Sequence, residues 1–341
     1  MTTVYFATNR SLVKRGGRSE FGTAFNVDGP AALRFGRAEV TGDAYDQFDV
    51  HVAPEKLSGR STRLGSAAIF QELAERLRNG EPTNVLVFIH GYACTFEDAL
   101  ARAAEITDEY GDGKMIAFAF SWPANGRMVP WMSYYSDRND AKASGQAMAR
   151  AALKLKAFIQ EIDAGERCER SIHLVAHSMG NYALRHAVQG IRSELGDRNL
   201  PRLFDNIFLM AADEDDDAFE HDHKLRLLSA LGRMVQVYFN PGDRALIVSD
   251  VTKANPDRLG SDGPRLADLL PRKVVLVNCQ DVDYEGDDIQ VHQYYRRSPE
   301  VIEDVRQALA GTPPQEMTGR RFEPATRSYR IEKNPAFDAP I

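Results

Sequence analysis

Between Ser171 and Asn181 the chain reads Ser-Ile-His-Leu-Val-Ala-His-Ser-Met-Gly-Asn. Ile172 to Ala176 is a short, largely apolar run of the kind that forms a buried strand, and Tyr182 to Ile191 is patterned like a helix. Ser178 stands at the joint, with Ala176 and Gly180 two residues to either side. A serine on so sharp a strand-to-helix turn needs nearly side-chain-free neighbours at those positions, because strand and helix must pass closely. The turn also aims the first amides of the helix at the serine, where they can stabilise an oxyanion. This is a variant of the Gly-x-Ser-x-Gly nucleophile elbow, in which Ala at the first position adds only a methyl group. For the pentapeptide alone, an ordinary turn with a helix-capping Ser is the other reading.

The surrounding sequence repeats the strand–helix unit. Asn84 to Ile89 is an apolar run closed by His90-Gly91-Tyr92, and a helix is expected from near Phe96. Met115 to Trp122 reads as the next buried strand, ended by Pro123. A loop rich in aromatics and Met (Trp122, Met128, Trp131, Met132, Tyr134, Tyr135) then leads to a long helix from about Asn139 to Ile162. Beyond the Ser178 unit, strands are expected at Asn206–Ala212, Met234–Asn240 and Lys273–Cys279, with helices at Ala218–Leu231 and Glu300–Ala310. Regular alternation from Val85 onward predicts a mostly parallel sheet covered by helices on both faces. Upstream, Val4–Thr8 and Phe48–Ala53 read as strands extending one sheet edge, with a helix at Ala67–Leu77. The expected organisation is one α/β domain over residues 1–310, with edge strands and loops in 1–80 and the core in 81–310. The Pro-, Arg- and Glu-rich tail 311–341 is expected to be wrapped over the surface or partly disordered.

Composition narrows the partners. A net charge of −7 on 341 residues gives no electrostatic reason to expect nucleic acid or an anionic membrane. The 3 cysteines, Cys94, Cys168 and Cys279, lack CxxC spacing, which argues against a disulfide framework or structural zinc site and for a reduced compartment. No stretch approaches the length that spans a bilayer, and the N-terminus lacks the pattern of a secretory signal, so a cytoplasmic location is expected. His221-Asp-His223 has the look of a metal pair, but residues two apart on a helix do not share a face. Neither a metal nor any other cofactor is expected.

Taken in order, strand–His-Gly–helix, strand–x-His-Ser-Met-Gly–helix and the later units resemble the α/β-hydrolase superfamily. More narrowly they resemble a bacterial branch of little-characterised, esterase- or lipase-like serine hydrolases. That likeness is carried by Tyr5-Phe-Ala-Thr-Asn-Arg10, Phe88-Ile-His-Gly-Tyr92, Phe120-Ser-Trp-Pro123, Asn240-Pro-Gly-Asp243-Arg-Ala-Leu246 and Arg258-Leu-Gly260. Ala93 departs from the Asn expected there in such relatives. The resemblance implies an α/β-hydrolase fold without a large lid domain, and triad members in the order nucleophile, acid, base. Of the 8 His, only His292 lies beyond the last strand, which makes it the implied general base. His90 is expected to hold the oxyanion turn by hydrogen bonds, His173 to be a core polar group, and His177 to point away from the elbow. Two carboxylates compete for the acid. Asp243 follows a strand through Pro-Gly, where the superfamily most often places it. Asp213 opens the run Asp-Glu-Asp-Asp-Asp, which reads otherwise as a solvated helix start. Asp243 is preferred. The oxyanion hole is expected from the backbone N–H groups of Tyr92 and Met179. Trp122, Met128, Trp131 and Tyr134 are the candidate substrate rim, or else a cluster packed under its loop. The implied activity is hydrolysis of small-molecule carboxylic esters. A thioesterase or amidase using the same residues, and a non-catalytic binding scaffold, are the alternatives. Oligomeric state is not indicated.

Overall fold

Apolar residues on both sides of each central strand demand two covering layers. Leu174 and Ala176 pack into one apolar cluster and Val175 into a second, the two-residue alternation of a strand buried on both faces. The computed structural model describes residues 1–15, 18–54, 64–78, 84–127, 132–161, 171–246, 257–282 and 291–333. The strands run β1 (Thr2–Thr8), β2 (Arg10–Arg15), β3 (Arg18–Phe25), β4 (Arg34–Thr41), β5 (Gln47–Val52), β6 (Asn84–Ile89) and β7 (Met115–Ser121). They continue with β8 (Ser171–His177), β9 (Phe204–Met210), β10 (Gly232–Phe239), β11 (Val274–Asn278), β12 (Arg320–Glu323) and β13 (Ser328–Ile331). The main helices are α1 (Gly65–Arg78), α2 (Phe96–Gly111), α3 (Met132–Glu161), α4 (Met179–Leu195) and α5 (Pro299–Leu309).

Among the described residues 11 strands form one sheet, ordered β12-β13-β11-β10-β9-β8-β6-β7-β1-β4-β5. Pairing is parallel from β1 to β13 and antiparallel where β4, β5 and β12 add the edges. The β2–β3 hairpin stands apart. Helices α1, α3 and α4 pack on one face, α2 and α5 on the other. Helix α2 starts at a capping box in which Thr95 and Asp98 exchange side-chain and backbone hydrogen bonds. Ser298 caps α5 ahead of Pro299, whose missing N–H costs nothing at a first helical position. Because the central strands are parallel, the loops after β6, β8, β9, β10 and β11 all emerge at one end. Strand β6 lies between β7 and β8, so the winding reverses there, and open α/β sheets bind ligands at such switch points. No helix among the described residues is long and apolar enough to cross a membrane.

Three expectations are corrected. The tail is not merely a surface wrap, since residues 320–331 close the sheet as the β12–β13 hairpin. A buried ion pair fixes it there: Arg320 holds both carboxylate oxygens of Asp304 on α5 at 2.6 Å and reaches Gln236 of β10 at 2.8 Å. Helix α3 begins at Met132, so Tyr134 and Tyr135 are helical rather than in a loop. The helix expected at Ala218–Leu231 is a series of turns in which only Leu228–Leu231 is helical. Its backbone closes successive three-residue turns, such as Glu220 N to Asp217 O and Lys224 N to His221 O, while the acidic run ahead of it folds around buried cations, described below. Cys94 and Cys279 are buried free thiols, and Cys168 lies outside the described residues.

Candidate active site

Ser178 occupies φ 54°, ψ −127°, a backbone region that a residue with a Cβ enters only under strain of about 1–3 kcal/mol. The surroundings hold it there. Its N–H donates to Met210 O at 3.0 Å, and its carbonyl accepts from Asp213 N at 3.2 Å, which ties the turn to β9. The buried Asn181 amide reaches Ala176 O at 3.0 Å and Ser178 O at 3.1 Å. A Cβ on Gly180 would lie 2.6 Å from the carbonyl oxygens of Ile89 and His90, so the helix can pass the oxyanion turn only with glycine there. Across the switch point, a Cβ on Gly91 would lie 2.8 Å from Ser178 Cβ. Gly91 therefore faces the serine at contact distance. Met179 is the first residue of α4, and its N–H has no intrahelical acceptor.

The oxyanion turn is fastened from behind. His90 is fully buried, stacked on Trp122 with ring centroids 4.8 Å apart. Its Nε2 accepts from Trp122 N at 3.1 Å, which leaves Nδ1 to donate to Gly91 O at 2.9 Å. Burial, with Arg10 adding to it, pushes its pKa well below the usual value, so the ring is neutral, a structural hydrogen-bonding role. Ala93 stands at φ 53°, the left-handed region that Asn tolerates best after Gly, which explains why Asn is the residue expected there. Its N–H donates to Asp137 Oδ2 at 3.0 Å, while Asp137 Oδ1 accepts from Asn125 N at 3.0 Å. Arg10 is fully buried and donates to the carbonyls of Cys94 (2.8 Å), Gly22 (3.1 Å) and Ala124 (3.2 Å). Asp137 and Arg10 thus clamp the turn to the segment after β7. Sequence reasoning assigned neither a role, although Arg10 lies in a segment that carries the resemblance.

His292 and Asp243 meet. Nδ1 of His292 lies 2.7 Å from Asp243 Oδ2. The other oxygen, Oδ1, accepts from Ala245 N at 3.1 Å and Leu246 N at 3.4 Å, so the turn after β10 orients the carboxylate. Asn240 pins that turn to β11 through Cys279 O at 2.7 Å. An ionised carboxylate only accepts, so Nδ1 carries the hydrogen and Nε2 the lone pair in the neutral ring. Burial pulls the His292 pKa down, but the Asp243 charge and hydrogen bond outweigh it, with Asp213 adding, and the net shift is upward. The His292 carbonyl accepts from His177 Nε2 at 3.1 Å, and the two rings are 4.7 Å apart. His177 therefore turns from the elbow toward the backbone of the second histidine and stacks on Tyr295. Two residues on, the Tyr294 hydroxyl donates to Tyr238 O at 2.9 Å and accepts from Ala211 N at 3.0 Å. That anchor to β9 and β10 was also missed in the sequence. No hydrogen bond joins Ser178 to His292 among the described residues, and such contacts often tighten only with substrate present.

Asp213 is not a solvated charge at a helix start. It is 2% exposed, accepts from Tyr134 OH at 2.7 Å, and has Arg138 Nη1 at 3.8 Å and Arg258 Nε at 4.0 Å. Glu214 is equally enclosed, and Asp215 and Asp217 are partly buried. Arg258, itself fully buried, reaches Asp215 at 2.6 Å, Arg185 lies 3.3 Å from Glu214, and Lys224 binds both Asp215 and Asp217. Burial pushes the Glu214 carboxyl up to about 6 against the pull of Arg185 and Arg138. Removing one partner of a buried ion pair strands the other, so Asp213→Asn is expected to cost about 3 kcal/mol. The shift of the urea unfolding midpoint at constant m-value measures it. A change under about 0.5 kcal/mol would show that the pairings carry no net stability.

Of the candidate rim, Trp122 is fully buried, its Nε1 donating to His90 O at 2.9 Å, so it supports the oxyanion turn and offers no surface to a substrate. Tyr134 packs edge-on against Tyr92 at 5.8 Å and borders the site. Met128 and Trp131 lie outside the described residues. His173 is a core residue whose Nδ1 lies 3.2 Å from the Asn206 amide. His221 lies 3.1 Å from Asp217, and among the described residues no group of three or more metal-ligating side chains converges.

Residues 66–312 match the family described as "Alpha/beta hydrolase of unknown function (DUF900)". The chain belongs to that family. The match covers β6 to β11, α2 to α5 and Ser178, Asp243 and His292, though not Arg10, and the α/β-hydrolase fold follows from it. The chain is also similar to an uncharacterized protein of Nostoc sp., at 25% identity over 130 residues that cover 31% of each chain.

Proposed function

We propose that this α/β hydrolase cleaves carboxylic esters through an acyl-enzyme on Ser178. The observation that carries the reading is a strained serine set against Gly91, at the same sheet end as a His292–Asp243 pair whose remaining ring nitrogen is a base. In this reading His292 Nε2 takes the Ser178 proton as Oγ attacks the ester carbonyl. The imidazolium formed is stabilised by Asp243 and then protonates the leaving alcohol. Water repeats the sequence to release the acid. The N–H groups of Met179 and Tyr92 receive the oxyanion. Tyr134, bonded to Asp213 and packed on Tyr92, is a rim residue in this reading, together with Met128 and Trp131, which lie outside the described residues.

Thioesters and amides can use the same groups, and a substrate panel separates them. Wild type and Ser178→Ala are assayed on matched nitrophenyl esters, acyl thioesters and anilides of increasing acyl length. The expected result is ester turnover that exceeds anilide turnover and falls by about 10⁴-fold or more in Ser178→Ala. Preferred thioester or anilide turnover, again lost in Ser178→Ala, reassigns the leaving group. Equal rates for wild type and variant favour a binding scaffold.

A further inference from the structure

At the end of the sheet opposite Ser178 the register leaves a gap. Strand β13 pairs with β11 only at Val277 and Asn278, so among the described residues no strand flanks Val274 to Leu276 on that side. The gap opens into a cleft of about 500 Å³, within the size range of small-molecule sites. Its lining has a definite chemistry. Arg233, Arg272 and Arg327 contribute to it, and no Asp or Glu does, in a chain whose net charge is −7. Arg272 is exposed and has no acidic partner among the described residues. Arg233 shares Asp205 at 3.3 Å with half its side chain exposed, and Arg327 donates to the Ala267 carbonyl at 2.6 Å. One wall is aromatic: the rings of Phe322 and Tyr329 are 5.2 Å apart, and Phe322 is 48% exposed. Gln236, buried at 2%, also lines the cleft, its Oε1 accepting from Arg320 at 2.8 Å.

Each feature has a bland explanation alone, since surface arginines and one exposed Phe are common. Their convergence does not. Arg272, a guanidinium without a facing carboxylate, can bind an oxyanion in a fork geometry with Arg233 and Arg327 adding positive charge nearby, and an aromatic wall beside it receives a flat apolar group. We propose that this cleft is a second binding site, distinct from the Ser178 site, for a small organic anion that carries a planar ring.

The test is calorimetric titration of the full chain with naphthalene-2-sulfonate, which offers no ester to hydrolyse. Inorganic sulfate supplies the charge alone and 2-naphthol the ring alone. The sulfonate is expected to bind one per chain, at least tenfold more tightly than either control, with affinity falling as salt rises. Arg272→Glu is expected to weaken it at least tenfold and Phe322→Ala about threefold or more, while Ser178→Ala leaves it unchanged. Both cleft residues are exposed, so these variants should fold as wild type does. The proposal is overturned by no binding at millimolar sulfonate or by an affinity that either cleft variant leaves unaltered. Loss in Ser178→Ala, or sulfate or 2-naphthol binding as tightly as the sulfonate, overturns it as well.

Discussion

His292→Ala is expected to lower turnover of an activated ester by about 10⁵-fold while leaving the chain folded. The size follows from the role: without a base at Nε2 the Ser178 hydroxyl stays protonated, and the leaving alcohol has no proton donor. Retention of the fold follows from the contacts. What anchors His292 from the His177 side is its backbone carbonyl, which survives truncation, and Tyr294 secures the segment independently. Turnover and the urea midpoint, measured on the same preparation, separate the two. A loss under about tenfold would move the base elsewhere.

Asp243→Asn is expected to cost about 10³–10⁴-fold, and the local hydrogen bonds say why. Ala245 N and Leu246 N donate to Oδ1, so they retain the amide oxygen of an introduced Asn on their side. The NH₂ group then faces His292 Nδ1 and donates to it. Nε2 must carry the hydrogen, and the ring presents the wrong tautomer to Ser178. The pH profile gives a second readout. In wild type the raised His292 pKa sets the acid limb of kcat/KM above the ordinary histidine value near ~6.5, since the ring must be neutral to act as base. Asp243→Asn removes the leading upward influence while burial, which acts downward, persists, so the limb is expected to move to lower pH. An unmoved limb would mean that another carboxylate, with Asp213 first in line, sets the ionisation.

The elbow was legible because its signals are local. A strand-length apolar run, small residues at ±2 and a helix pattern lie within about twenty residues, and each follows from backbone sterics. The meeting of His292 with Asp243 was legible through chain order once the superfamily resemblance was in hand. The acidic run was misread for the opposite reason. Besides the nearby Lys224, its cations Arg138, Arg185 and Arg258 come from distant segments, so five acids in a row look solvated until the chain folds around them. The same holds for Arg320, whose partner Asp304 lies on α5 and whose strand has only 4 residues. Trp122 was placed at the rim on the strength of aromatic content. Aromatic residues serve a rim and a core equally well, and only the stacking on His90 distinguishes them. Ala93 is a different case: sequence comparison flagged it, and the positive φ supplies the reason.

The central claim is that Ser178 is an activated nucleophile, and a fluorophosphonate tests it without knowledge of the substrate. Such a probe phosphonylates a serine only where a base takes the hydroxyl proton and an oxyanion hole receives the phosphoryl oxygen. Intact-mass analysis of the folded protein followed by peptide mapping reads the outcome. The account predicts a single adduct on Ser178, absent in Ser178→Ala and strongly slowed in His292→Ala. An adduct on another residue, or none on the folded wild-type chain, would contradict it.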